Sequence, residues 1–217
     1  MSAVVRHRVW DVPTRVVHWA LAVGVAFQWI SGEYDLVPMQ WHYVVGYALF
    51  VLVLFRIVWG FVGSESARFS SFVRGYGAVV RYARAVAEGP VAQAGHNPLG
   101  AWSVLALLAS LLIQAVSGLW TSDDILEQGP LVAGASEPVV AWMSTIHRTN
   151  ERVLLVLIVL HLGAVAWHAF ARREDLVRAM VDGSKTLEHD PGLRFVPAWR
   201  AMVVFAACAA VVYAIVR

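Results

Sequence analysis

The sequence predicts an all-α membrane protein, a bundle of four transmembrane helices followed by a fifth at the C-terminus, and three observations carry that reading. Mean hydropathy over the 217 residues is +0.62. Charged residues make up 15% of the chain, against about 25% in soluble proteins. Five stretches, residues 16–31, 42–62, 99–120, 146–170 and 198–216, approach the roughly 20 apolar residues that a hydrocarbon core requires. The same composition excludes other classes. Cys208 is the only cysteine, so neither an internal disulfide nor a thiolate metal cluster is available, and no C-x-x-C-H segment exists to attach a c-type haem covalently. A formal charge of +2 without any long basic run leaves nucleic-acid binding without a footprint.

Each element has its own signal. The first span follows Arg6 and Arg8 and is opened by Asp11 and Pro13, an N-cap and first-turn pair. It lacks a small-residue cleavage site and reads as a retained anchor rather than a signal peptide. Between the second and third spans, residues 69–86 mix Phe72, Val73, Tyr76, Val79, Val80 and Tyr82 with Arg74, Arg81 and Arg84, the pattern of an amphipathic helix on the inner leaflet or of an ordinary solvated one. Most of the ten tryptophans sit near span ends, as an interfacial belt requires. No internal repeat or long linker is apparent, so residues 1–185 read as one four-helix domain and residues 186–217 as an extension bearing the fifth span.

Orientation follows from the Lys and Arg count by loop. The tail holds Arg6, Arg8 and Arg15; the second connection with its helix ends holds Arg56, Arg68, Arg74, Arg81 and Arg84; the fourth holds Arg172, Arg173, Arg178, Lys185, Arg194 and Arg200. The opposite side has only Arg148, Arg152 and Arg217, against the acids Glu33, Asp35, Asp123, Asp124, Glu127, Glu137 and Glu151. The N-terminus is therefore expected on the cytoplasmic side, with the acidic face and the C-terminus on the outer side.

Histidines inside spans carry the functional reading, because intramembrane polar groups are costly. In the fourth span, His147, His161 and His168 are spaced by 14 and 7 residues, and multiples of seven return to nearly one helix face. Fourteen residues rise about 21 Å, so two depths are marked. His18 on the first span and His42 on the second supply partners: topology sets His42 with His147 at the outer level and His18 with His161 at the inner one, with His168 as the alternative inner partner. Gly32 to His18, His42 to Arg56 and His147 to His161 are each 14 residues, so three helices mark the same two levels. Facing imidazoles across a bundle hold haem iron from both sides, and two such pairs make an electron path across the bilayer. Arg56 falls at the inner level as a candidate for the anionic haem propionates; Arg15 and Arg148 are further candidates for the inner and outer haem, or headgroup anchors. Gly46 and Gly163 offer close approach of a flat macrocycle. His7, His96 and His189 lie in the tail or loops, where an interfacial or solvated histidine is the default.

Several segments together resemble the bacterial cytochrome b561 family, which includes the cytochrome b subunits of membrane-bound nickel–iron hydrogenases. They are Arg8-Val-Trp-Asp-Val-Pro-Thr-Arg-Val-Val-His18-Trp, Trp41-His42, Phe55-Arg-Ile-Val-Trp-Gly-Phe-Val-Gly63, Gly95-His-Asn-Pro-Leu-Gly100, and His147 with His161 and His168. The resemblance spans roughly residues 8–185 and implies a bacterial inner membrane, with the outer side, and so the C-terminus, periplasmic. It implies a four-helix core with two b-type haems, ligated by His18 and His161 and by His42 and His147, exchanging electrons between a membrane quinone and a periplasmic redox partner. His168, Arg15 or Trp19 would serve a quinone site near the inner haem.

The function expected is thus a dihaem quinone-linked electron carrier. The acidic outer face suits a basic c-type cytochrome partner, and a homodimer is compatible with the chain. Within the family, an anchor subunit of a hydrogenase- or dehydrogenase-type complex and a superoxide:quinone oxidoreductase are alternatives. From another class, the histidines could line a zinc or nickel transport path, although such a path would also call for carboxylates or thiols inside the spans, which offer almost none.

Overall fold

The computed structural model describes residues 5–34, 36–88, 95–122, 127–187 and 189–217. Asp11 opens helix α1 (Val12–Glu33): its Oδ1 accepts from the Thr14 amide at 2.8 Å, with Pro13 in the first turn. Oδ2 of the same buried carboxylate accepts from the indole N–H of Trp59 at 2.9 Å, near the end of α2 (Met39–Val62). One acid therefore starts α1 and pins it to α2. The two helices pack antiparallel, Gly24 against Leu49 and Ser31 against His42; a Cβ at Gly24 would lie 2.5 Å from Leu49 Cδ2, so glycine permits the approach.

The expected amphipathic helix over residues 69–86 is two helices, α3 (Phe69–Phe72) and α4 (Tyr76–Glu88). Val73 is extended, and the Arg74 guanidinium donates to the carbonyls of Ser70 at 3.0 Å and Ser71 at 2.8 Å. Those acceptors would otherwise continue the helix. Asn97 then caps α5 (Pro98–Gly118), its Oδ1 accepting from the Gly100 amide at 2.6 Å. Helix α6 (Glu137–Ala171) has 35 residues, about 52 Å at 1.5 Å per residue, several turns more than a hydrocarbon core of about 30 Å. It is antiparallel to α5, Ser110 and Gln114 meeting Asn150, and Ser117 meeting His147.

By length and composition α2, α5, α6 and α8 (Ala198–Val216) are apolar enough to cross a membrane. The sequence predicts five spans, with α8 the fifth; on this criterion α8 is the fourth, because α1 falls short. Arg15, His18, Gln28 and Glu33 lower the hydropathy of α1, and the residues that make it interesting chemically are the ones that weaken its signal. Helix α2 is central, packing on α1, α5 and α8, while α6 packs closely on α5 and its backbone stands off from α1 and α2. Val17, Phe50, Phe55, Trp59, Leu119, Ala201, Cys208 and Val212 form the main core, with Phe55 stacked on Trp59 at 5.5 Å.

A small cap closes the arginine-rich end. Strand β1 (Val5–Arg8) pairs antiparallel with β2 (Ser184–Leu187), which follows α7 (Leu176–Asp182). The amides of Val9 and Trp10 donate to the Gly183 carbonyl at 2.7 and 3.0 Å. Gly183 ends α7 at φ +84°, and a Cβ there would sit 2.9 Å from the Trp10 carbonyl, so both backbone conformation and space call for glycine. At the other end Tyr43 donates to Glu127 at 3.0 Å; Asp35, Asp123 and Asp124 of the expected acidic face lie outside the described residues.

Candidate functional site

At the arginine-rich level, His18 of α1 and His161 of α6 face each other with ring centroids 6.4 Å apart and planes inclined by 54°. Two imidazoles bound to one metal ion from opposite sides, each through a bond of about 2 Å, have centroids roughly 6 Å apart. The separation therefore suits an ion held between the rings. Nδ1 of His18 is sealed from solvent without a hydrogen-bond partner among the described residues. His168 is placed elsewhere: its Nδ1 lies 2.9 Å from Glu174 Oε2, and its carbonyl accepts from the Arg172 and Glu174 amides, so it closes the end of α6.

At the other level, His42 of α2 and His147 of α6 are both held through Nδ1. His147 Nδ1 is 3.0 Å from the Gln114 carbonyl and 3.2 Å from Ser117 Oγ. A carbonyl only accepts, so Nδ1 carries the proton and Nε2 the free lone pair. His42 Nδ1 is 2.9 Å from Ser31 Oγ, whose own hydroxyl donates to the Gln28 carbonyl at 3.2 Å. With that proton committed, Ser31 accepts from His42, and Nε2 is again the bare nitrogen. Metal-binding imidazoles are typically oriented in this way.

Arg56 is 6% exposed. Its guanidinium has five N–H donors, yet among the described residues it makes one hydrogen bond, to the Ala67 carbonyl at 3.3 Å, and lies 5.4 Å over the Phe69 ring. Most of its donors are unused among the described residues, and they suit an anionic group. The other predicted contacts are dispersed. Arg15 donates to the Val181 carbonyl and Trp19 to the Met180 carbonyl at 3.3 Å, so both attach α1 to the cap. Arg148 is exposed. A Cβ on Gly46 would lie 3.1 Å from the Gln28 amide, whereas Gly163 has open space around it.

One buried histidine differs from its sequence-based expectation. His96, expected to be interfacial or solvated, packs between Trp10 at 4.7 Å and Phe72 at 4.4 Å, with Nδ1 sealed from solvent and unpartnered among the described residues. Its pKa is pushed down to about 3, by burial first and then by Arg56 and Lys185. The signal was its place one residue before the Asn97 cap of α5, which ties it to the bundle end.

One pair of imidazoles facing across an apolar helical bundle, beside a buried guanidinium and with two further histidines toward the opposite end, is a donor set that would suit a haem, and it points to the class of membrane b-type cytochromes. The model of the prokaryotic cytochrome b561 family matches residues 9–183, and the chain belongs to that family, for which haem b is the implied cofactor. It is 24% identical over 219 residues to a protein of Azotobacter chroococcum mcd 1 named "Probable Ni/Fe-hydrogenase B-type cytochrome subunit", covering 84% of this chain and 89% of that one. A protein of the same name from Azotobacter vinelandii is 23% identical with the same coverage. The "Probable Ni/Fe-hydrogenase 1 B-type cytochrome subunit" of Escherichia coli strain K12 is 24% identical over 140 residues, 53% of this chain and 60% of that one.

Proposed function

We propose that the chain is a dihaem b-type cytochrome of the bacterial inner membrane that passes electrons between the quinone pool and a redox partner on the periplasmic side. His18 and His161 hold one haem and His42 and His147 the other, with Arg56 on a propionate of the first. Iron held by two imidazoles exchanges single electrons and has no open position for a substrate. The chain's own residues fix the ligating nitrogens, neutralise the anionic arms and exclude water from the bundle. Helix α1 also spans, which makes α8 the fifth membrane helix: the 22 residues of α1 measure about 33 Å, and antiparallel packing on α2 supports that role. Residues 1–185 form the dihaem unit and residues 186–217 an appended helix, with the N-terminus cytoplasmic and the C-terminus periplasmic.

The observation that carries this reading is the 6.4 Å separation of the His18 and His161 rings, on helices whose backbones stand apart. Its test is reduction of the purified, lipid-reconstituted protein by ubiquinol and menaquinol under anoxic conditions. Reduction of both haems by at least one quinol, slowed by a quinone-site inhibitor, is expected; haems that dithionite reduces but neither quinol does would contradict a quinone link.

A narrower reading is favoured by the names of the relatives, each called a hydrogenase cytochrome subunit. In it the periplasmic donor is a hydrogenase iron–sulfur protein bound to this chain as its membrane anchor. Purification from native membranes in mild detergent separates the two: an anchor comes with an iron–sulfur subunit in fixed proportion, a free-standing carrier without one.

A further inference from the structure

Two segments of the chain read Gln-x-x-Ser-Gly: Gln28-Trp-Ile-Ser31-Gly32 near the end of α1, and Gln114-Ala-Val-Ser117-Gly118 at the end of α5. The next membrane helix after each carries a histidine of the outer level, His42 on α2 and His147 on α6. The atoms meet in the same way twice. Ser31 and Ser117 are 3% and 1% exposed, and each donates to the glutamine carbonyl three residues back at 3.2 Å. Their Oγ atoms lie 2.9 Å from His42 Nδ1 and 3.2 Å from His147 Nδ1. The glycine after each serine faces the same imidazole, because a Cβ at Gly32 would lie 3.3 Å from His42 Cε1 and one at Gly118 would lie 3.0 Å from His147 Cε1. The glutamine side chains also reach the neighbouring helix about one turn from the histidine. Gln28 lies over Gly46, and Gln114 Oε1 accepts from Asn150 Nδ2 at 2.7 Å.

We propose that this twice-used motif is the positioning device of the outer haem: the serine and glutamine oxygens keep both Nδ1 atoms protonated, leaving Nε2 as the only ligating nitrogen of each ring, while the glycines make room for the rings to lie there. The proposal rests on the reading of His42 and His147 as ligands. A main-chain or hydroxyl acceptor on Nδ1–H raises the basicity of the ligating nitrogen and so favours the oxidised iron. The two halves are unequal in one respect. His147 has both the Gln114 carbonyl and Ser117 as acceptors, whereas Ser31 is the one hydrogen-bond partner of His42 Nδ1 among the described residues. Removing the two hydroxyls should therefore have unequal effects.

The experiment is a potentiometric titration with ferric-state electron paramagnetic resonance on the purified full-length protein, comparing wild type, Ser31→Ala, Ser31→Thr, Ser117→Ala and His42→Ala. The component missing from His42→Ala identifies the outer haem. The proposal expects Ser31→Ala to favour reduction of that haem by several-fold to about tenfold, which for one electron is up to about 59 mV, with a changed resonance signal. Ser117→Ala should do less, Ser31→Thr should restore the wild-type values, and the inner haem should stay unmoved throughout. Outer-haem potentials and signals unchanged in both alanine variants would overturn the positioning role. A shift of both haems alike, or one that Ser31→Thr fails to restore, would overturn it too by marking a general packing defect. Retention of both haems by His42→Ala would overturn the ligand assignment itself, a failure distinct from that of the motif.

Discussion

Asn150 joins α5 to α6 one turn below His147, and its replacement by leucine tests how polar groups hold this hairpin. Asn150 is 8% exposed. It accepts from Ser110 Oγ at 3.0 Å and donates to the Ser110 carbonyl at 2.9 Å and to Gln114 Oε1 at 2.7 Å. Interhelical hydrogen bonds inside a membrane are worth about 0.6 kcal/mol each on average. Three of them sum to about 2 kcal/mol, and the apolar contacts of leucine at similar volume offset part of that, so Asn150→Leu should cost about 1–2 kcal/mol, roughly a 5–30-fold change in the folded ratio. Ser110→Ala removes one of the three bonds and should cost about 0.6 kcal/mol. The assay is reversible unfolding in mixed detergent micelles followed by circular dichroism, with a double-mutant cycle of the two positions. A coupling energy of about 0.6 kcal/mol is expected. A leucine variant within about 0.3 kcal/mol of wild type, or a cycle with no coupling, would refute the reasoning.

Four further outcomes follow from the same geometry. His161→Ala should lose one haem while His168→Ala keeps both, since the latter ring is engaged with Glu174 at 2.9 Å; haem content by pyridine haemochrome decides. Gly183→Ala, which forces a Cβ to within 2.9 Å of the Trp10 carbonyl at φ +84°, should destabilise the cap by about 1–2 kcal/mol and speed amide exchange at Val9 and Trp10, and exchange at the wild-type rate would contradict the account. For His96 the unfolded chain binds a proton near pH 6.5 and the folded one only near pH 3, so stability rises with pH across that window and is lost as pH falls below about 6.5. In His96→Phe, which keeps the ring packing, the melting temperature should depend less on pH there. Finally, replacing Asp123, Asp124 and Glu127 together should slow reduction of a basic c-type cytochrome at low salt and leave the rate at high salt unchanged.

The sequence made the framework legible where a local signal is strong. The Asp11 and Pro13 start of α1 is a one-turn pattern, and the 14-residue interval between His147 and His161 follows from helical geometry alone, so both could be read without partners. The break at 73–75 was hidden because the residues alternate as one amphipathic helix should; only the Arg74 side chain folding back on the Ser70 and Ser71 carbonyls reveals it. The β1–β2 pairing joins residues about 180 positions apart, beyond any local pattern. His96 looked like a loop histidine because its neighbours Trp10 and Phe72 come from other segments. The paired Gln-x-x-Ser-Gly segments were in plain view, but five residues made of small and polar types gain meaning only once each is seen against its histidine.

Four histidines are proposed to hold two haems. The direct test is haem quantified per chain in purified protein, with reduced-minus-oxidised spectra of wild type, His18→Ala and His147→Ala. Two haems b in the wild type, with each variant losing a different one, are predicted; a colourless protein that binds zinc or nickel would contradict the account.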